Sequence, residues 1–277
     1  VLGVAVDRRI LVAAAPRNDG KAVLHSGFAA RPVEAHLGNI TAREGEDSWA
    51  NYPLGVIKVL ADAGISVPGG LNLAVVSDLP SGAGMSSSAA IELATAYAVL
   101  GLADRELDKA DLARIARKAE NEFVGMPCGI LDQGVSAFGE RDHLVHIKTR
   151  NEDFRVVPMP PGLHFHVFNS NIKHSLVDSH YSDRFNQCAL ALKRLHGRYP
   201  DIEYLTDATM EQAAEVLEGE MLQRVRHVIA ENGRVRESIV ALASGEMDRV
   251  GKLLFDSHAS SRDLYQNSTP ELDFLVE

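Results

Sequence analysis

The stretch Leu79–Leu100, LPSGAGMSSSAAIELATAYAVL, sets two glycines and three serines between an apolar run and a helix of small residues. Ahead of it Leu71, Leu73 and Val75 alternate with the period of a half-buried strand, and behind it Ile91, Ala94 and Ala98 recur at helical spacing. Gly101 stands where a C-cap is expected. A loop of this kind can hold a phosphate, because the first N–H groups of a helix are unpaired and its macrodipole is positive there. Gly82 and Gly84 carry no side chain to hold an anion away, and Ser86, Ser87 and Ser88 add hydroxyls that can donate to phosphate oxygens or ligate Mg²⁺. No Gly-Lys-Ser/Thr closes the loop, so it is not a Walker A sequence. The same letters also read as a tight turn with a serine cap.

The 277 residues are 45% hydrophobic and 24% charged, enough for one large or two modest globular domains. A net charge of -10 excludes a basic nucleic-acid surface, and no apolar run is long enough to span a membrane. Two cysteines, Cys128 and Cys188, cannot build a disulfide framework, so a reducing cytoplasm is expected. HFH at His164–His166 would put two imidazoles on one strand face, but no further metal ligands accompany them. The chain opens without methionine inside an apolar strand pattern and stops in the amphipathic ELDFLVE, so it is expected to continue at both ends.

Asn18-Asp19-Gly20 predicts a hairpin between two strands, and Leu54–Ala63 a helix ending at Gly64. Asp108 can cap a helix whose inner face carries Leu112, Ile115, Ala116, Ala119 and Phe123. GMPCGILDQGVSAFG then breaks and enters another helix, and HLVHIKTR reads as a strand. The prolines and glycine of 158–162 place a boundary, giving domains 1–160 and 161–277. Beyond it come a strand (HFHVFNS) and helices near Tyr181–Leu195, Glu220–Ala243 and Glu246–Arg262. Hairpins mixed with helices point to two α+β domains.

PSGAGMSSSAA closely resembles the PxxxGLxSSA motif of the GHMP kinases, with Met85 in place of the usual leucine. GMPCGILDQ (residues 125–133) is similar to the galactokinase segment that carries the catalytic aspartate. SWANY, NSNIKHSLVDSHY, RVRHVIAEN and DSHASSRDLY…STPELD also look like that family, in its order and over most of the chain. The resemblance implies a two-domain GHMP kinase fold with the active site between the domains, acting on galactose with ATP and Mg²⁺. It implies a monomer with no nucleic-acid or membrane partner. The family's GEHTDYN-like segment would lie ahead of Val1 and its third, glycine-rich motif beyond Glu277. Two other readings stand beside this one. A sister kinase could act on N-acetylgalactosamine or another sugar. A non-catalytic galactose sensor, as in yeast, is disfavoured because Ser88-Ala89, the pair that such a sensor lacks, is intact.

Carried over residue by residue, Asp132 would face the hydroxyl that is phosphorylated, as base or as orienting carboxylate. Without the resemblance it reads as a helix-dipole aspartate. Ser88 and Glu120 would hold Mg²⁺, although Glu120 alone reads as an edge glutamate with a solvated head. The loop Gly82, Ala83, Gly84, Met85, Ser86, Ser87 and Ser88 would take the phosphates, with Trp49, Tyr52 and Ser26 beside the nucleotide. Trp49 and Tyr52, three apart, would otherwise be core. Cys128, Gly129 and Tyr181 match sugar-side positions, while Cys128 reads equally as a small buried hydrophobe. Lys173, where many relatives carry arginine, is assigned no role.

Overall fold

The computed structural model describes residues 1–67, 69–80, 84–170 and 177–277, the side chains of 177–182 excepted. These fall into two units, Val1–Val157 and Pro158–Glu277. The first runs β1 (Leu2–Val4), β2 (Ile10–Pro16), β3 (Lys21–Ser26), β4 (Val33–His36), a 3₁₀ turn (Gly45–Ala50) and α1 (Asn51–Asp62). It continues with β5 (Gly70–Ser77), α2 (Ser87–Ala103), α3 (Lys109–Lys118), a π-helical turn (Ala119–Val124), α4 (Leu131–Phe138), β6 (His143–Lys148) and β7 (Asp153–Pro158). The strands form two sheets, ordered β2-β5-β3-β4 and β1-β6-β7.

The turn at Asn18–Gly20 forms, but the predicted hairpin does not. β5 lies between the two strands, antiparallel to β2 with Ile10 opposite Ser77, and parallel to β3 with Lys21 opposite Gly70. The turn's donors are taken by the start of β5: Arg17 N–H donates to the Gly70 carbonyl at 2.9 Å and Gly20 N–H to that of Gly69 at 2.7 Å. The Arg17 guanidinium also donates to Asn72 Oδ1 at 2.8 Å. Only glycine fits this entry. Gly70 has φ +107°, and a Cβ there would overlap the Lys21 carbonyl oxygen and lie 2.8 Å from its nitrogen.

Alternation along β5 then buries Leu71, Leu73 and Val75, as its letters predict. Leu71 and Leu73 pack with Leu24 of β3, Leu54 and Leu60 of α1, and Leu93, Ala96 and Val99 of α2. α2 runs past Gly101 to a left-handed Asp104, because Leu100 and Leu102 still face this core. Asp108 caps α3 as expected, accepting from Asp111 N–H at 2.7 Å. α4 lies hard against β6 and β7. A Cβ on Gly134 would come within 2.6 Å of Ile147 and Phe154, and Phe138 stacks on Phe154 with ring centres 4.5 Å apart.

The second unit holds α5 (Val177–Arg198), α6 (Met210–Val216), α7 (Gly219–Ala243), α8 (Met247–Ser260), a π-helical turn (Ser261–Tyr265) and α9 (Pro270–Val276). The strand predicted at HFHVFNS is absent. Residues 163–170 are irregular, with Phe165, Val167 and Phe168 exposed. An alternating pattern becomes a strand only where a neighbour takes its backbone hydrogen bonds, and none does so among the described residues. His164 and His166 therefore share no strand face. Ala191, Leu195, Ala213, Leu217 and Val225 form this unit's core. Arg224, 3% exposed, ties α7 to Gln187 Oε1 at 3.1 Å and to Gln266 Oε1 at 2.7 Å. No helix of the described residues is long and apolar enough to cross a membrane.

Gly70→Ala therefore tests the inserted strand. It should cost at least about 3 kcal/mol, adding backbone overlap to a left-handed conformation. Gly64→Ala, also left-handed (φ +81°) but with open space around its Cβ, should cost only about 1–2 kcal/mol. Urea unfolding of the first unit measures both, and equal losses would contradict the close approach.

Candidate active site

β5 delivers the chain to the glycine–serine loop. Gly82 and Ala83 lie outside the described residues. Gly84 is left-handed (φ +69°), with nothing within 4 Å of the place a Cβ would take. Ser86 is left-handed too (φ 54°), a conformation uncommon for a residue with a side chain. Left-handed residues alternating in this way are the backbone pattern from which anion-binding nests are built. Ser86 is the N-cap of α2, and its carbonyl accepts Ala90 N–H at 3.1 Å, but its side chain makes no capping hydrogen bond. The serine-capped turn is thus only half realised: a serine stands at the cap and its hydroxyl does not close it. Ser87 and Ser88 begin the helix half-exposed, beside a half-buried Met85.

One turn into α2 is the helix's only charged residue. Glu92 is fully buried, and Ser88, four residues earlier, shares its face. Gln133, also fully buried, spends its amide nitrogen on two carboxylates: Nε2 donates to Glu120 Oε2 at 2.6 Å and to Glu92 Oε2 at 3.3 Å. Glu120 is 7% exposed and lies in the π-helical turn, so its head is not solvated as an edge glutamate would be. The Cys128 thiol donates to the same Glu120 oxygen at 3.4 Å. Asn121 pairs with the backbone of Cys128 through both amide atoms, accepting its N–H at 2.7 Å and donating to its carbonyl at 3.3 Å. Asp132, next to Gln133, stands half-buried in the first turn of α4, its carboxylate accepting no hydrogen bond from a described residue.

Burial dominates the titration here. It pushes the Glu92 carboxyl from 4.5 up to about 9, helped by the charges of Glu120 and Asp132, so that it is neutral at pH 7. Burial and Glu120 likewise push the Cys128 thiol up to about 12. Cys128 is therefore an unreactive thiol at neutral pH.

The structure thus draws Ser88, Glu120, Cys128 and Asp132 toward one region. Gly129 is exposed beside them. Trp49 and Tyr52 lie in consecutive helical turns, both half-buried, with Trp49 packed on the core and its Nε1 buried without a partner among the described residues. Ser26 ends β3, its hydroxyl accepting Phe28 N–H at 3.2 Å. Tyr181 belongs to α5, and its side chain, like the whole of Lys173, lies outside the described residues. Glu92, Gln133 and Asn121 escaped the sequence reading. The signal for Glu92 was available: a lone carboxylate in a seventeen-residue helix of otherwise uncharged residues.

A family model described as GHMP kinases N terminal domain matches residues 51–140. A galactokinase of Roseiflexus sp. (strain RS-1) is 39% identical over 280 residues, covering all of this chain and 71% of the relative. A galactokinase of Thermotoga neapolitana is 39% identical over 278 residues, covering all of this chain and 75% of the relative. Among solved structures, Lactococcus lactis galactokinase complexed with galactose superposes with a TM-score of 0.89 at 29% identity, over 98% of this chain and 71% of that one. Methanococcus jannaschii mevalonate kinase, at 18% identity and TM-score 0.53 over 96% of this chain and 72% of that one, shares the fold.

The raised Glu92 carboxyl makes stability depend on pH. Between about 4.5 and 9 the unfolded chain releases a proton that the folded one keeps, so folding loses stability as pH rises through that window. Glu92→Gln does not titrate. It should be more stable than wild type by a few kcal/mol at pH 8 and show no such advantage at pH 4. Denaturant melts at the two pH values measure the difference, and a pH-independent gap would contradict a neutral Glu92.

Proposed function

This chain belongs to the galactokinase family of the GHMP kinases, and we propose that residues 84–88, Glu120 and Asp132 carry its phosphoryl transfer from ATP to the anomeric hydroxyl of galactose. The observation that supports this most is a single buried unit, Glu92–Gln133–Glu120, that ties the second turn of α2 to the first turn of α4. The start of α2 offers backbone donors that its N-cap side chain leaves open, and the first turn of α4 a carboxylate that accepts no hydrogen bond from a described residue.

In this reading the Gly82–Ser88 loop and the N–H groups that open α2 bind the ATP phosphates. Asp132 takes the proton of the attacking hydroxyl or orients it; phosphoryl transfer depends chiefly on positioning and charge neutralisation, so either suffices. Trp49, Tyr52 and Ser26 line the nucleotide, and Cys128, Gly129 and Tyr181 the sugar. The unreactive Cys128 thiol suits a contact role. The two units would be the N- and C-terminal kinase domains. Both cysteines are free thiols, in keeping with a reducing cytoplasm.

Mg²⁺ fits the donor set. Ser88 and Glu120 offer hard oxygens, and Glu120 Oε1 accepts no hydrogen bond from a described residue. Among the described residues no group of three or more His, Cys, Asp or Glu could hold a metal ion. Two protein oxygens suit an ion that arrives on ATP and keeps phosphate and water ligands. When bound, it would neutralise charge on the phosphate oxygens.

Two substitutions test these roles. Gly84→Asp puts a carboxylate into the open space beside the loop and should abolish ATP binding in a folded protein; calorimetry that found ATP affinity unchanged would remove the loop from the reading. Asp132→Asn keeps size and shape but loses the proton acceptor and the charge. Turnover should fall by a factor of about 10² to 10⁴, while galactose and ATP still bind. Steady-state ADP release beside galactose binding distinguishes the steps, and near wild-type turnover would reopen the choice of catalytic residue.

A further inference from the structure

Gln133 is as buried as a core leucine, yet it packs an amide between two carboxylates. A residue of similar volume with no polar atoms would fill the space without needing partners. Its side chain does what no apolar residue can: Nε2 donates to two different acids, on α2 and on the π-helical turn, and lies 3.7 Å from the Cys128 sulfur. π-helical turns inside helices occur frequently at functional sites, and this one carries Glu120.

We propose that Gln133 is a positioning residue for the kinase reaction, its amide holding the Glu120 carboxylate at one rotation so that Oε1 faces the metal–nucleotide. The inference rests on the role given to Glu120 above. Four observations carry it. The Gln133–Glu120 bond, at 2.6 Å, is the shortest of the three amide contacts and goes to Oε2, leaving Oε1 free of described donors. Cys128 adds a second donor to that same oxygen, so both fix the one face. Glu92 supplies a second carboxylate acceptor for the amide, which keeps the side chain from turning. Gln133 also follows Asp132 directly in α4, whose Gly134 is pressed onto Ile147 and Phe154, so the amide and the aspartate rest on one rigid helix turn. Partners that orient a metal ligand typically change metal affinity about 10–100-fold when removed.

The test uses the full chain and Mn²⁺ as the probe for the ion. Gln133→Leu keeps the volume and removes the amide; Gln133→Asn keeps an amide too short to span both acids. Electron paramagnetic resonance of free Mn²⁺ should show Mn²⁺ bound with ADP about tenfold more weakly in both variants. Metal-free ADP affinity and KM for galactose should stay within about twofold, while the Mg²⁺ needed for half-maximal turnover rises. Glu92→Gln, which retains an acceptor oxygen, should hold Mn²⁺ with wild-type affinity within about twofold. Wild-type Mn²⁺ affinity in a folded Gln133→Leu or Gln133→Asn would overturn the proposal. Failure of both variants to fold would assign Gln133 to the core alone and overturn it too. A wild-type protein whose ADP binding ignores the metal would instead sink the role of Glu120 itself.

Discussion

A missing side chain governs the first unit. Because Gly70 lets β5 pass against the backbone of Lys21, the strand can enter between β2 and β3 instead of pairing at an edge. Both flanks of β5 are then hydrogen-bonded, its alternate side chains point into the deepest part of the core, and its last residues aim the chain at the glycine–serine loop. α2 follows from that aim, and Glu92 is carried inward with it. The catalytic reading therefore stands on a steric fact some distance from any chemistry.

The second constraint is electrostatic. Two carboxylates and a thiol share a space that excludes most water, where ionised groups are costly unless paired. Among the described residues no cationic side chain hydrogen-bonds to the cluster. The chain meets the problem by holding Glu92 neutral, raising the Cys128 thiol, and placing an amide between the acids.

Much of this was legible from the letters, and what was not has physical reasons. The alternation of β5, the Asp108 cap and the placement of Asp132 in a first turn are local properties, and local properties are written in the sequence. Asn18-Asp19-Gly20 has sound turn chemistry, but the identity of a strand's partner is set by residues fifty positions away. HFHVFNS has the period of a strand and, among the described residues, no neighbour to make it one. Glu92 and Gln133 were missed because a buried polar contact has no period: each is unremarkable in its own helix and acquires meaning only when α2 meets α4. The loop motif was read through its resemblance to the GHMP kinases, and its left-handed Ser86 could not have been inferred from a serine's own preferences.

The open N-terminus of α2 has a consequence for how such a chain can be improved. Three helices of this protein, α3, α6 and α9, close a first turn with a side-chain oxygen, from Asp108, Thr209 and Thr269, whereas α1, α4, α7 and α8 start, like α2, without one. A comparable cap at the start of α2 would add about 1 kcal/mol of stability, and selection for heat resistance alone would find it. On the function proposed above, it would do so by occupying the donors that bind phosphate. The helix start is a place where durability and activity compete for the same few N–H groups, so a library screened only for survival should drift there toward sturdier, less active proteins.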